Sequence, residues 1–268
     1  MVRSPDTDVF ILLLAYSGDV RMPVWFETGT GNRRRIVDVN TVVSTYGNDV
    51  AKALPGLHAF TGCDTTSAFV CRRKKKAPFK LMASVPGFVK IFQQLGTAPD
   101  CLTSDMTKAL EHFVCCMYGY PQLRETHKVC STIFQSRYRV PSPQSLSTTK
   151  RVGIDLGLLP PCTSTLRKHC MRANYQTLIW KKAHIPYPSL PKPEGHGWRR
   201  DRDGRLVIDW LEGDMMPHTV ADIVADFTTD DGELLTMVEV TNEDDKADNV
   251  IDVLFTDDED CEDCGDTL

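Results

Sequence analysis

The distribution of charge limits this chain more than any other feature. Residues 201–268 carry 23 acidic side chains against 3 basic ones, while residues 1–200 carry 28 basic against 13 acidic. The net charge of -5 is thus the small difference of two opposed segments. Like charges at this density repel one another, and a segment poor in apolar residues cannot offset the entropy lost on ordering. Residues 226–268 are therefore expected to form a disordered acidic tail, with short strand or helix fragments around Leu234–Val240 and Val250–Phe255. The fold has to come from what precedes it. A basic body with an acidic end is the pattern of a nucleic-acid-binding protein, because Lys and Arg displace counterions from phosphates. A solvated domain with a solubilising tail is the alternative reading.

The body can support a core: the chain has 268 residues, of which 41% are hydrophobic. Its longest good apolar run is Val9–Tyr16, far short of the roughly 18 residues of a membrane helix, so no membrane partner is expected. The N-terminus lacks the charged and then apolar pattern of a signal peptide. Ten cysteines are dispersed, and Cys115 and Cys116 are adjacent, which reads as reduced intracellular thiols rather than a disulfide framework.

Val9–Tyr16 is apolar on every side, which fits a buried strand or a short buried helix equally. Val24–Thr28 reads as a strand, Gly29–Asn32 as a turn and Arg35–Val39 as the returning strand. Asn40 is placed to cap a helix over Thr41–Tyr46, ended by Gly47. A further helix should run from about Asp49, break near Pro55 and resume into Gly62-Cys63-Asp64. Phe88–Leu95 and Asp105–Tyr118 have helical spacing. Residues 136–165, rich in Ser, Thr and Pro, read as a linker. Thr163–Ala183 is the clearest helix of the second half. Pro186, Pro188, Pro191 and Pro193 impose an extended connector, and Asp203-Gly204 marks a hairpin turn between Trp198–Arg202 and Arg205–Trp210.

The chemistry lies in carboxylates. Ser4-Pro5-Asp6-Thr7-Asp8 sets two of them two residues apart, and Asp64 follows in Gly62-Cys63-Asp64. Read by spacing, Asp6 and Asp8 are helix caps and Asp64 a turn residue. Read as a cluster, they are oxygen ligands for Mg²⁺ or Mn²⁺. Two such ions, held by about four or more carboxylates, can generate a hydroxide and stabilise the leaving oxygen of a phosphodiester. Asp19, Glu27 and Asp38 are further acidic residues that nothing in the sequence assigns to the cluster.

The order Ser-x-Asp-x-Asp, apolar segment, strand pair and helix ending in Gly-Cys-Asp resembles the middle of flap-endonuclease-like (PIN-like) nuclease domains. The likeness spans about residues 2–82. It implies that Asp6 and Asp8 are the paired metal aspartates at the end of a central strand, and that Asp64 brings a third carboxylate. The counterparts of the family's first-strand aspartate and acidic helix would lie before Met1. An incomplete active site is therefore expected, with an upstream segment or a second chain completing the sheet. Where the family has a glycine-rich hairpin gripping DNA phosphates, this chain has Arg72-Arg73-Lys74-Lys75-Lys76, which keeps the charge without the glycines. That run also suits a nuclear-import signal, so an intracellular, nuclear protein is expected.

Further on, Leu159-Pro160-Pro161, Arg172–Gln176, Ile179-Trp180 and Gly195–Trp198 resemble a module in mobile-element-associated proteins of cnidarian and fish genomes. Those proteins join this nuclease-like half to a cysteine-rich zinc region. Here only Cys261-Glu262-Asp263-Cys264 remains, two of the four ligands that structural zinc needs, so zinc is not expected. Cys162 and Cys170 with His169 would be an unusual supplement. His196 reads as a turn histidine beside a packed tryptophan. Gly29-Thr30-Gly31 is no dinucleotide fingerprint, and no serine or cysteine has a triad-like setting.

The expected fold is α/β. Residues 1–135 form a partial PIN-like sheet with helices, 136–158 a linker, 159–225 a small helix-plus-β-hairpin module, and 226–268 the tail. The expected function is a divalent-metal-dependent nuclease-like protein acting on or binding DNA or RNA. The alternative is a catalytically inactive nucleic-acid-binding module derived from a mobile element. The charge pattern yields a first prediction. Deleting residues 226–268 should tighten binding of a fluorescent DNA oligonucleotide at low salt. The gain should shrink as the Debye length falls below ~10 Å above 0.1 M salt. Equal anisotropy titrations of the two proteins would dispose of a competing tail.

Overall fold

The computed structural model describes residues 1–69, 76–100, 102–137 and 156–211. They form a mixed α/β structure dominated by helices, with two small sheets. The expected acidic tail, the basic residues Arg72–Lys75, Cys261 and Cys264, and most of the expected linker lie outside the described residues. Among the described residues no helix is long and apolar enough to cross a membrane.

The first sheet has the order β1 (Val2–Arg3), β2 (Trp25–Thr28), β3 (Arg35–Asp38). β1 runs parallel to β2, with Val2 opposite Phe26, and β2 pairs antiparallel with β3, with Phe26 opposite Val37. Alternation along the strands turns Phe26 and Val37 into the core and sets Arg3, Glu27 and Ile36 on the other face.

The apolar run after β1 is a helix, α1 (Thr7–Tyr16). Its start is fixed locally: Asp6 is extended and accepts the Asp8 N–H at 2.9 Å. Phe10, Ile11, Leu14 and Ala15 are its buried face. The helix after β3, α2 (Val39–Tyr46), is capped by Asp38 rather than by Asn40. Asp38 Oδ1 accepts the N–H groups of Asn40 and Thr41 at 3.0 and 3.2 Å. Asn40 instead accepts the Val24 N–H at 2.8 Å, tying α2 back to the approach to β2. A side chain facing another strand has no signature in local sequence.

The next helix, α3 (Asn48–Thr61), passes through Pro55 without the expected break. Proline costs this helix a backbone hydrogen bond. Burial outweighs that cost, since every residue from Ala53 to Thr61 is buried. Gly56 permits a close contact: a Cβ there would lie 2.3 Å from the carbonyl oxygen of Phe92. The remaining helices are α4 (Lys76–Ser84), α5 (Pro86–Gln94), α6 (Ser104–Met117), α7 (Thr126–Arg137) and α8 (Thr163–Lys181). α7 was not expected from periodicity. The buried carboxylate of Glu111 in α6 organises its start, accepting the N–H and hydroxyl of Thr126 at 2.9 and 3.0 Å and the hydroxyl of Thr163 at 2.9 Å. One buried acid thereby joins the beginnings of α7 and α8.

Phe60 of α3 lies within the core, its ring 5.3–6.1 Å from those of Phe69, Phe92, Phe113 and His169. Leu166, Cys170, Ala173 and Trp180 of α8 belong to the same core as α1 and the sheet. The segment expected as a module beyond residue 159 thus contributes a central helix to the first half. Its hairpin, β4 (Trp198–Arg200) and β5 (Leu206–Ile208), is shorter than expected, with five residues between the strands. Arg172 of α8, 1% exposed, anchors it through Nη1 to the carbonyls of Gly197 (3.3 Å) and Asp209 (3.0 Å), with Trp210 stacked at 5.4 Å. Its Nε and Nη2 are buried without a hydrogen-bond partner among the described residues.

Removing the Phe60 ring leaves a void among these aromatic contacts. Phe60→Ala is predicted to cost about 3–5 kcal/mol of unfolding free energy, measured by urea denaturation followed by circular dichroism. A loss below about 1 kcal/mol would mean the core does not meet at this ring.

Candidate functional site

α1 and α3 pack antiparallel, so the start of one meets the end of the other. Asp8, in the first turn of α1, is joined to His58 in the last turn of α3, with Asp8 Oδ1 2.5 Å from His58 Nε2. At the opposite end, Ala15 and Tyr16 of α1 line a cleft of about 560 Å³ with Asp49 and Lys52 of α3. Gly62-Cys63-Asp64 continues directly from the end of α3 that Asp8 touches.

Each predicted ligand has a defined setting. Asp6 is exposed and spends Oδ1 on the α1 cap. Asp8 has a side chain 25% exposed, whereas that of His58 is 5% exposed. An ionised carboxylate can only accept, so the His58 proton sits on Nε2 and is donated to Asp8. The His58 ring stacks on Trp180 of α8 with centroids 5.4 Å apart and planes inclined by 16°.

Asp64 stands on a tight turn. Gly62 has φ +116°, and a Cβ there would lie 2.7 Å from the Ala68 Cβ, so only glycine fits. Cys63 and Thr66 exchange backbone hydrogen bonds at 3.2 Å each way, leaving Asp64 and Thr65 exposed at the tip. The Thr66 hydroxyl donates back to the Ala59 carbonyl at 2.7 Å, and the Thr65 hydroxyl donates to Gln176 Oε1 of α8 at 2.7 Å. The structure thus brings Asp8 to the end of α3 from which the Asp64 turn springs.

Among the described residues, no group of three or more His, Cys, Asp or Glu side chains is arranged to hold a metal ion. The three further acids considered for the cluster stand elsewhere. Glu27 is ion-paired with Arg34 (2.6 Å) and Arg3 (3.5 Å), Asp38 caps α2, and Asp19 lines the cleft at the far end. Carboxylate oxygens are the donors that hard divalent cations prefer, and Asp6, Asp8 and Asp64 offer them without forming such a group in this structure. Of the basic run, Lys76 opens α4 and the rest falls outside the described residues.

Sequence reasoning passed over His58, and it read Gln176 and Trp180 only as parts of the second-half module. His58 sits inside an apolar helical stretch, where a histidine gives no sign of a carboxylate partner 50 residues away. His169 and Cys170 are buried in α8, while Cys162 at its start is exposed. His169 Nε2 contacts the Phe60 carbonyl at 2.7 Å, and burial pushes the imidazole down to about 4. Burial also pushes the Cys170 thiol up to about 12. His196 stacks on Tyr175 at 5.2 Å, between glycines of positive φ.

No family model matches the chain, and no curated protein or solved structure matches it either.

The buried His169 yields a pH prediction. Its folded pKa of about 4 lies below the ordinary 6.5. Between these values the unfolded chain binds a proton that the folded chain does not, so stability falls as pH drops from about 6.5 towards 4. His169→Gln, which can still donate to the Phe60 carbonyl, should flatten that part of the melting-temperature profile. An unchanged slope would assign the acid sensitivity to other groups.

Proposed function

We propose that this chain is a divalent-metal-dependent nuclease-like protein that acts on or binds DNA or RNA. Asp6, Asp8 and Asp64 hold Mg²⁺ or Mn²⁺ in a PIN-like, flap-endonuclease-like arrangement whose carboxylate set is incomplete. One observation carries this reading: Asp8 is bonded to the last turn of the helix that delivers Gly62-Cys63-Asp64. Asp8 thereby meets the helix whose following turn carries Asp64, 56 residues on in sequence. The order of strand, Ser-Pro-Asp-Thr-Asp, helix, strand pair, helix and Gly-Cys-Asp supports it further, as does the basic body.

When bound, the cation supplies Lewis-acid stabilisation of charge developing on phosphodiester oxygens. The protein's part is to present oxygen ligands from the head of α1 and the turn after α3. Basic residues of the body, Arg72–Lys76 among them, attract the phosphate backbone without reading sequence. A segment or second chain pairing along β1 would extend the sheet and add carboxylates. The Arg72–Lys76 run also suits a nuclear-import signal, which supports a nuclear setting.

A second reading, a mobile-element-derived module that binds nucleic acid without cleaving it, is favoured by a specific observation. Asp6 and Asp8 each give an oxygen to a protein donor, the α1 cap and His58. The two readings part on one experiment with the full chain and a labelled flap substrate. The nuclease reading expects Mn²⁺-dependent cleavage that drops to background in Asp64→Ala, while salt-dependent binding persists. Binding without cleavage in the unaltered chain leaves the module. Failure to bind or cut at low salt removes both.

A further inference from the structure

Between α8 and the hairpin the chain forms a proline-rich strap. From Ile185 to Pro193 every residue except Ser189 is a proline or stands directly before one. Proline fixes φ near about -65°, and the residue before it is pushed into extended backbone. The strap accordingly runs without turn or bend from Pro188 to Lys192. The body ties it down through backbone carbonyls, which leaves its side chains unspent. Lys182 Nζ donates to the Ser189 carbonyl at 2.6 Å, and the hydroxyl of buried Tyr175 donates to the Pro191 carbonyl at 2.8 Å. His184 lies against Tyr16 of α1 at one end, with ring centroids 6.0 Å apart. At the other end the His196 N–H donates to the Pro193 carbonyl at 3.0 Å.

Pro188 and Pro191 are half-buried, whereas Tyr187 is 95% exposed, Ile185 40% and Leu190 36%. The backbone that such prolines favour has about three residues per turn, so Tyr187 and Leu190, three apart, share an edge. A tyrosine held wholly in water leaves its large apolar surface unburied, and tyrosine is enriched at the centres of interfaces. Between Lys182 and Glu194 the sole acid is Glu194 itself, whose carboxylate is bonded to Arg200 at 2.6 Å. The exposed edge is therefore flanked by the positive charges of Lys182 and Lys192.

We infer that this strap is a docking site for a proline-reading domain. The partner has a groove lined by aromatic rings, which takes the Tyr187–Leu190 edge, and an acidic rim, which faces Lys182 and Lys192. Such grooves bind chain that is already extended, and fixing it beforehand reduces the entropy lost on binding. Here the prolines fix the backbone, and the two carbonyl ties fix its place on the body. The inference is independent of the nucleic-acid reading above.

The full chain, carrying a fluorophore at its N-terminus, is tested on an array of SH3 and WW domains, whose grooves are of this kind. Domains with acidic rims are expected to bind, and the tightest is carried into calorimetry. Tyr187→Ala and Leu190→Ala should each weaken that complex at least about tenfold, as the loss of central interface residues does. Lys192→Glu should weaken it and slow association, because it sets like charge against the rim. Tyr175→Phe removes one tie, leaves the strap's own residues in place and should weaken binding by up to about tenfold. Ile36→Ala, at an exposed site on the first sheet, should bind as the unaltered chain does. Tyr187 is so exposed that Tyr187→Ala keeps the fold, which thermal melting checks. No binding across the array overturns the inference, as does binding that Tyr187→Ala and Leu190→Ala leave unchanged. If no domain binds and Tyr187→Ala abolishes binding of single-stranded DNA, or self-association of the chain, the edge belongs to nucleic acid or to a second copy, and the inference falls.

Discussion

Burying α3 on nearly every side is the constraint from which much of this structure follows. A helix enclosed by α1, α5 and α8 cannot leave a polar side chain without a partner. His58 therefore requires an acceptor, and Asp8 supplies it. Thr61 turns its hydroxyl back to the Leu57 carbonyl at 2.9 Å. Gly56 is needed where the α5 backbone closes in, and Gly62 where the chain must leave the helix sharply. The same enclosure carries the chain through Pro55. The His58–Asp8 contact is first of all the satisfaction of a buried polar group.

Legibility in the sequence tracked how local the cause was. The β2–β3 pair, the helices at Phe88 and Asp105 and the long helix after residue 163 were visible, because periodicity and turn residues decide them. Asp6 as a cap was also visible, since its acceptor role spans two residues. What failed has a distant partner. Asn40 bonds to Val24 rather than capping α2, the α7 start depends on Glu111, and Pro55 is overruled by packing from three helices. His58, Gln176 and Trp180 belong to this class too, because their contacts join segments separated by 50 to 122 positions. The three aspartates were chosen from motif order, and the structure sets Asp8 against the end of the helix that leads to Asp64.

The organisation of the chain changes how its halves are understood. The second half does not sit beside the first as an appendage. It contributes α8 to the common core and its Trp180–Gln176 edge to the carboxylate end. The Glu111 carboxylate, bonded at once to Thr126 and Thr163, further joins elements that linear sequence would place apart.

Arg172 has an implication for how far the chain can be shortened. Its guanidinium is enclosed, with its only hydrogen-bond acceptors among the described residues at Gly197 and Asp209 and with Trp210 stacked against it. A stop codon placed ahead of the hairpin would leave a stranded cation at the middle of α8, with no acceptor and no aromatic cover. The stretch from Gly195 to Trp210 therefore works as a plug, and any minimal version of the folded unit has to end beyond it.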